Sequence, residues 1–168
     1  VLHLSGIKNY DQVLAMSGYD EENGDNITSE RIFNAIVQFE DTYFQPGTDY
    51  RYSNSGYFLI TEIVSRVTGI PYAQWVKDNI FIPLDMNDSY VYEGKNGIRN
   101  SSSSYRKSDS FDKIKVPIRT YQEQVKNLNI FTIHTTIRDY AKWMNNYISG
   151  KVGGVETLNL IETGIHSD

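Results

Sequence analysis

The stretch Phe44-Gln45-Pro46-Gly47-Thr48-Asp49-Tyr50-Arg51-Tyr52-Ser53-Asn54-Ser55-Gly56-Tyr57 joins the end of a loop to the start of the most regular helical pattern in the chain. Pro46-Gly47 is a strong turn pair, because proline presets φ and glycine tolerates positive φ. Tyr50 and Tyr52 alternate as in a short extended run that delivers the chain to Ser53 or Asn54, either of which is a good N-cap. Beyond them Leu59, Ile60, Ile63, Val64 and Val67 recur at helical spacing, with Glu62 and Arg66 at i and i+4 on the side read as wet. Tyr52 and Asn54 therefore stand at the mouth of a helix. Unsatisfied N–H groups and the positive dipole end gather there, so a phenol and an amide in that place suit an anionic or oxyanionic substrate.

Working outward, Ser5-Gly6-Ile7-Lys8-Asn9-Tyr10 reads as a loop, Asp11 to Met16 as a brief helical turn, and the acidic, glycine-containing run Asp20 to Asn26 as a surface connection. Thr28 reads as the N-cap of a helix through about Phe39, with Ile32, Ala35, Ile36 and Phe39 on one face. On the other side of the opening stretch, Gly69 supplies a helix stop and Pro71 the N1 position of the next helix, which passes Trp75, Val76 and Ile80 until Pro83 ends it. Tyr90-Val91-Tyr92 suits a short strand. Residues 93–116 contain Asn96-Gly97, four serines from Ser101 to Ser104 and few aliphatics, which predicts a long surface loop or mobile flap. Leu128 to Ile133 suits a strand or a buried loop. Thr136 and Asp139 have the form of a capping box that opens a helix through Ile137, Tyr140, Ala141, Met144 and Ile148, stopped by Gly150. A last helix runs from Val155 or Glu156 to Ile161 and ends at Gly164. The expected class is mainly α with short strands.

Composition narrows the function classes. With 168 residues, 39% hydrophobic and 22% charged, the chain has the material for a core and is not a disordered segment. A formal net charge of -5 with scattered Lys and Arg argues against nucleic-acid binding, which needs clustered cations. The absence of cysteine removes disulfides, thiolate metal sites and a cysteine nucleophile, and three widely spaced histidines do not form a metal site. No cofactor is expected. No apolar run approaches the roughly 20 residues that a helical membrane span needs. The 13 tyrosines suit pocket walls and polar-rimmed grooves, although half-buried packing with a wet hydroxyl is their commoner use. The chain opens on Val1-Leu2-His3-Leu4 and closes on Ile165-His166-Ser167-Asp168 as if cut at both ends.

The run Phe44-x-Pro46-Gly47-x-x-Tyr50-x-Tyr52-Ser53-Asn54-x-Gly56-Tyr57 is continued by Ile63-Val64, by Thr68-Gly69-Ile70-Pro71-Tyr72 and by Ile80-Phe81-x-Pro83-Leu84-x-Met86. Together with Leu2-His3-x-Ser5-Gly6 and Thr135-Thr136-x-x-Asp139-x-Ala141-Lys142-Trp143, it resembles the serine β-lactamase-like and penicillin-binding family. That family includes class C β-lactamases, D-alanyl-D-alanine carboxypeptidases, related esterases and D-aminopeptidases. The resemblance covers most of the chain and implies that residues 1–168 form one incomplete domain, the helical part of an α+β fold whose sheet domain is largely missing. It also implies a parent serine hydrolase that passes through an acyl-enzyme on amide, lactam or ester bonds. The implied substrate is a small molecule or a peptide, β-lactam-like or from the cell wall, and the implied location is extracytoplasmic, periplasmic or at the cell envelope.

Family chemistry uses three motifs: a Ser-x-x-Lys with the nucleophile, the tyrosine-serine-asparagine equivalent, and a Lys-Thr-Gly or His-x-Gly on a strand. By the resemblance, Tyr52 and Asn54 are catalytic, Tyr52 shuttling the nucleophile's proton and Asn54 orienting the lysine and binding the substrate amide. One motif is insufficient, since a phenol with a reference pKa of about 10 is a poor base at neutral pH without cationic neighbours or a lysine relay. Ser5-Gly6-Ile7-Lys8, Ser104-Tyr105-Arg106-Lys107 and Ser110-Phe111-Asp112-Lys113 share the nucleophile motif's spacing, and Lys151-Val152-Gly153 mimics the third motif. The nucleophile motif requires a helix, so that Ser and Lys share one face. Gly6 and the serine-rich surroundings oppose that, and Ser5 with Lys8 is read as a decoy. The isolated chain is thus expected to be inactive.

Phe131-Thr132-Ile133-His134 stands where family members commonly carry a glycine pair, and His134 is read as a packed or capping residue. The rival from another class is a non-catalytic module that binds cell-wall peptide or another partner through a tyrosine-rich groove. A domain without its sheet would also expose apolar surface and self-associate.

Overall fold

The structure is a computed structural model that describes residues 2–19, 28–92, 105–107, 115–117 and 132–163. In chain order the elements are α1 (Tyr10–Met16), α2 (Ser29–Val37), α3 (Asn54–Thr68), α4 (Tyr72–Val76), β1 (Tyr90–Tyr92), β2 (Tyr105–Lys107), β3 (Lys115–Pro117), β4 (Thr132–His134), α5 (Ile137–Ser149) and α6 (Gly154–Thr163). The described residues are mostly helical, with two small antiparallel sheets, β1 with β4 and β2 with β3. They divide into two units, Val1–Ile60 with Glu93–Ile130 and Thr61–Tyr92 with Phe131–Asp168.

In the first unit, Tyr10, Val13 and Leu14 of α1 pack with Ile32, Ala35 and Ile36 of α2 and with Phe58 of α3. Thr28 caps α2 as its position predicts, its Oγ1 accepting the Arg31 N–H at 3.2 Å. The predicted fourth member of that face, Phe39, lies beyond the helix end and is exposed. The loop before α1 is laced by backbone to the opening stretch: Tyr43 N–H donates to Gly6 O, Gly47 N–H to Leu4 O, both at 2.8 Å, and Arg51 N–H to His3 O at 3.1 Å. Gly6 makes this approach possible. Its φ is +67°, and a Cβ there would lie 2.4 Å from Phe44 O.

β2 and β3 pair with Tyr105 opposite Pro117 and Lys107 opposite Lys115, so the segment predicted as a loop or flap over 93–116 carries paired backbone. Tyr-Arg-Lys and Lys-Val-Pro are too short to show an alternation from which to read them. The rest of that segment, the connection Asp20 to Asn26, Leu128 to Phe131 and the stop at Gly164 lie outside the described residues.

In the second unit, Val76, Phe81, Leu84, Met86 and Val91 form the core, with Trp75, Trp143 and Val152 packed against it. Gly69 ends α3 with φ +68°, its N–H donating to Ser65 O at 2.9 Å. Pro71 is the N-cap of α4 and not its first helical residue, because its ψ of 136° is extended. After Val76 the chain widens into a π-helical turn, Lys77–Phe81, where Ile82 N–H reaches back to Lys77 O at 2.9 Å. Pro83 has no N–H with which to continue it. β1 and β4 pair with Tyr90 opposite His134 and Val91 opposite Ile133. Thr136 caps α5 by accepting the Asp139 N–H at 3.2 Å, and Gly150 closes it at φ +61°.

Only part of the apolar stripe read along α3 meets a core: Leu59 packs against that of the first unit, and Val64 is partly buried. The buried anchor of α3 is Phe58, which the stripe did not include, whereas Ile60, Ile63 and Val67 are exposed, Ile63 by 56% and Val67 by 80%. On α5, Ile137, Tyr140, Met144 and Ile148 are exposed, while Asp139 and Asn146 are each 1% exposed. Helical periodicity identifies which residues share a face, not what covers that face.

Candidate functional site

The site is built where the loop before α1 meets the N-terminus of α3. Asn54 is the first residue of α3, and Ser53 precedes it with its Oγ buried and unpartnered among the described residues. Ser53 therefore does not cap the helix through its side chain. The N–H groups of the helix entry are taken by the loop instead: Ser53 N–H donates to His3 Nδ1 at 3.2 Å and Asn54 N–H to Asn9 Oδ1 at 3.1 Å. One residue on, the fully buried Ser55 donates through Oγ to Lys8 O at 2.7 Å and accepts Tyr10 N–H at 2.9 Å. These bonds cross more than forty residues of sequence and fix the tripeptide against the loop.

Tyr52 is half-exposed, and its ring leans on that of His3, with centroids 4.6 Å apart and planes at 39°. Tyr57, one turn into α3, meets the same imidazole edge-on at 5.4 Å, and Tyr50 does so at 5.8 Å. His3 is thus a buried hub for three tyrosines. Because its Nδ1 accepts a backbone N–H, the proton of the neutral ring is assigned to Nε2. Tyr52 is 55% exposed, and its hydroxyl makes no hydrogen bond to the described residues.

Asn54 turns its amide nitrogen to Asp11 Oδ2, at 2.5 Å. Its carbonyl oxygen makes no hydrogen bond to the described residues. A phenol and an amide so arranged can relay a proton, accept from a cation and donate to a carbonyl oxygen.

Ser5 and Lys8 are not brought together on a helix, since residues 5–9 precede α1 without helical structure. Ser5 Oγ accepts the N–H of Ile7 at 3.3 Å, and Lys8 Nζ pairs with Asp41 at 2.8 Å and lies 4.7 Å from the Phe39 ring centroid. The hydrogen bond from Lys8 holds the exposed Asp41 carboxyl below its ordinary range. Tyr105 to Lys107 is strand β2, and Lys151 to Gly153 is a turn pinned by the Asn146 amide, which bonds both N–H and C=O of Val152. Ser104 and Ser110 to Lys113 lie outside the described residues.

His134 sits in the second unit, on β4, stacked on Tyr90 at 5.2 Å with planes 10° apart. Burial depresses its basicity, and its Nε2 is buried without a partner among the described residues. Among the described residues no group of three or more His, Asp or Glu is placed to hold a metal ion, and no helix is long and apolar enough to cross a membrane.

The residue pattern assigned roles to Tyr52 and Asn54 but none to His3, Asn9 or Asp11, which stand directly behind them. Their signal was faint. Asn9 and Asp11 flank Tyr10, a core residue, which points them away from the core it enters, but nothing in the sequence says what lies forty-odd residues onward.

The beta-lactamase family model matches residues 3–163. Penicillin-binding protein 4* of Bacillus subtilis (strain 168) is 42% identical over 50 residues, which cover 30% of this chain and 11% of that protein. The fold is similar to that of a D-stereospecific amidohydrolase from Streptomyces sp., with a TM-score of 0.75 at 23% identity over 98% of this chain and 49% of the other. It is also similar to a D-amino acid amidase from Ochrobactrum anthropi SV3, with a TM-score of 0.67 at 20% identity over 93% of this chain and 44% of the other. The chain spans no more than about half the length of these relatives. With the matched region running nearly end to end, the chain belongs to the beta-lactamase family.

Proposed function

We propose that the protein carrying this chain is a serine hydrolase that cleaves amide, lactam or ester bonds through an acyl-enzyme, and that Tyr52 and Asn54 are this chain's part of its active site. The observation that carries this is the backing of both side chains at one helix entry. The Tyr52 ring rests on His3 and the Asn54 amide on Asp11, while the hydroxyl and the amide oxygen stay unengaged by the described residues. Family membership supports the same chemistry.

In the reaction, a serine oxygen from outside these residues bonds to the substrate carbonyl carbon. Its proton passes through the lysine and Tyr52 relay to the leaving nitrogen or oxygen, whose bond to carbon breaks. Water then attacks the ester, the acid leaves, and the serine regains its proton. Asn54 holds the relay lysine with its oxygen and the substrate carbonyl with its free N–H. The chain itself is the helical part of the α+β fold, and it supplies neither nucleophile nor strand motif. The related protein names, an amidohydrolase and an amidase of D-amino acids, support including D-amino-acid amides among the substrates. An extracytoplasmic location fits the same family.

The test is initial-rate kinetics of the full protein on a chromogenic β-lactam, a p-nitrophenyl ester and a D-amino-acid amide. At least one is expected to turn over, with Tyr52→Phe slower by roughly 100-fold or more. Binding of cell-wall peptide without turnover of any of the three would favour the non-catalytic module.

A further inference from the structure

We propose that Asp11 is a positioning residue that decides which way the Asn54 amide faces; this rests on the assignment of Asn54 to the active site. A primary amide has a donor end and an acceptor end of nearly equal size, so only its hydrogen-bond partners select one orientation. An ionised carboxylate accepts and never donates. With Asp11 Oδ2 at 2.5 Å from the amide nitrogen, the flipped amide would set its oxygen against a carboxylate oxygen, which is repulsive.

The frame around this pair is stiff. Asp11 follows Tyr10, a fully packed core residue whose N–H is held by Ser55 of α3. Asn9 bridges the two partners, accepting the Asn54 N–H at 3.1 Å through Oδ1 while its own amide nitrogen lies 3.5 Å from Asp11 Oδ2. Both amide nitrogens thus converge on one carboxylate oxygen. The other oxygen, Oδ1, is buried with no hydrogen bond among the described residues, and no cation pairs with Asp11 there. Asp11 also lies in the first turn of α1, where the helix dipole favours a carboxylate, so its charge has a structural use as well. What it supplies and a neutral side chain does not is acceptor-only polarity. One Asn54 N–H is committed to Asp11, and the oxygen and the second N–H are thereby presented in a fixed order to cation and substrate.

The experiment compares Asp11→Ala, Asp11→Asn, Asn54→Ala and Tyr52→Phe in the full protein, by kinetics and by 15N NMR of asparagine side-chain amides, with Asn54→Ala giving the assignment. Asp11→Ala is expected to lower kcat/KM by roughly 10- to 100-fold and to move the Asn54 amide resonances toward those of a solvated amide. Asp11→Asn, which can accept through its own oxygen, is expected to recover part of both effects and guards against a folding defect in the alanine variant. Unchanged Asn54 amide resonances in Asp11→Ala would overturn the proposal, as would full activity in that variant while Asn54→Ala is impaired. If neither Asn54→Ala nor Tyr52→Phe slows turnover, the functional assignment fails, and the amide resonances still decide the orientation.

Discussion

Gly6 and His3 carry the geometry of the tripeptide although neither belongs to it. Gly6 combines positive φ with the Phe44 carbonyl where a Cβ would stand, so Gly6→Ala is expected to destabilise the protein by roughly 2 to 3 kcal/mol in urea or thermal unfolding. His3 has two separable duties, an acceptor for Ser53 N–H and a ring face for the tyrosines. His3→Phe keeps the second and loses the first. Because it leaves the buried Ser53 N–H unpaired and puts a bulky ring at φ +59°, it is expected to destabilise the protein by about 1 to 3 kcal/mol and to lower turnover about 10-fold or more, whereas His3→Asn, with an acceptor in place of Nδ1 and a tolerance for positive φ, recovers part of both. Equal turnover in all three proteins would remove His3 from the account. At this scale the sequence was legible where the signal was local. Pro46-Gly47, the helix entry at Ser53-Asn54 and the loop at Gly6 follow from neighbouring residues. The approach of Gly6 to Phe44 and of Asp11 to Asn54 spans about forty residues, and no local pattern encodes it.

Among the elements, α5 shows how a motif can be seen and its partner misassigned. Thr136 and Asp139 have the spacing of a capping box, and Thr136 does cap. The Asp139 carboxylate does something else: it accepts Asp88 N–H at 2.8 Å and Ser89 Oγ–H at 2.9 Å and pairs with Lys142 at 3.2 Å. Lys142 in turn reaches Asp85, a residue at φ +59°. Asp139 is therefore a clamp between α5 and the turn that leads into β1. Desolvation raises its pKa, but the bonds from Ser89, Asp88 and Lys142 outweigh that, and the net shift is downward.

A depressed folded-state pKa means that this stabilisation is present above the ordinary carboxylate range and is lost as pH falls through it toward the lower folded value. Asp139→Asn is thus expected to be less stable than wild type at neutral pH, with the gap closing in acid. A gap independent of pH from neutrality to pH 3 would contradict the clamp. Thr136→Ala is expected to cost about 1 kcal/mol in the same measurement, because it removes a cap and nothing else.

Over the whole molecule, periodicity located the helices and read the core face of α2, but it does not say what covers the apolar residues of α3 and α5. α3 turns Ile60, Ile63 and Val67 outward and α5 turns Ile137, Tyr140, Met144 and Ile148 outward, while polar Asp139 and Asn146 are buried. Residue pattern shows that a face is apolar; whether that face is a core depends on which other elements reach it. For residues 1–168 taken alone, these stripes predict self-association in sedimentation velocity, and charged substitutions at Ile63 and Ile148 are expected to reduce it. A monomer at all concentrations would contradict that.

The central claim, that Tyr52 and Asn54 serve a serine acylated elsewhere in the protein, is met most directly by intact-protein mass spectrometry of the full protein mixed with a β-lactam or an activated ester. The account predicts one acyl adduct on a serine outside residues 1–168, formed roughly 100-fold more slowly in Tyr52→Phe. An adduct on Ser5, or one formed at the same rate in Tyr52→Phe, would contradict it.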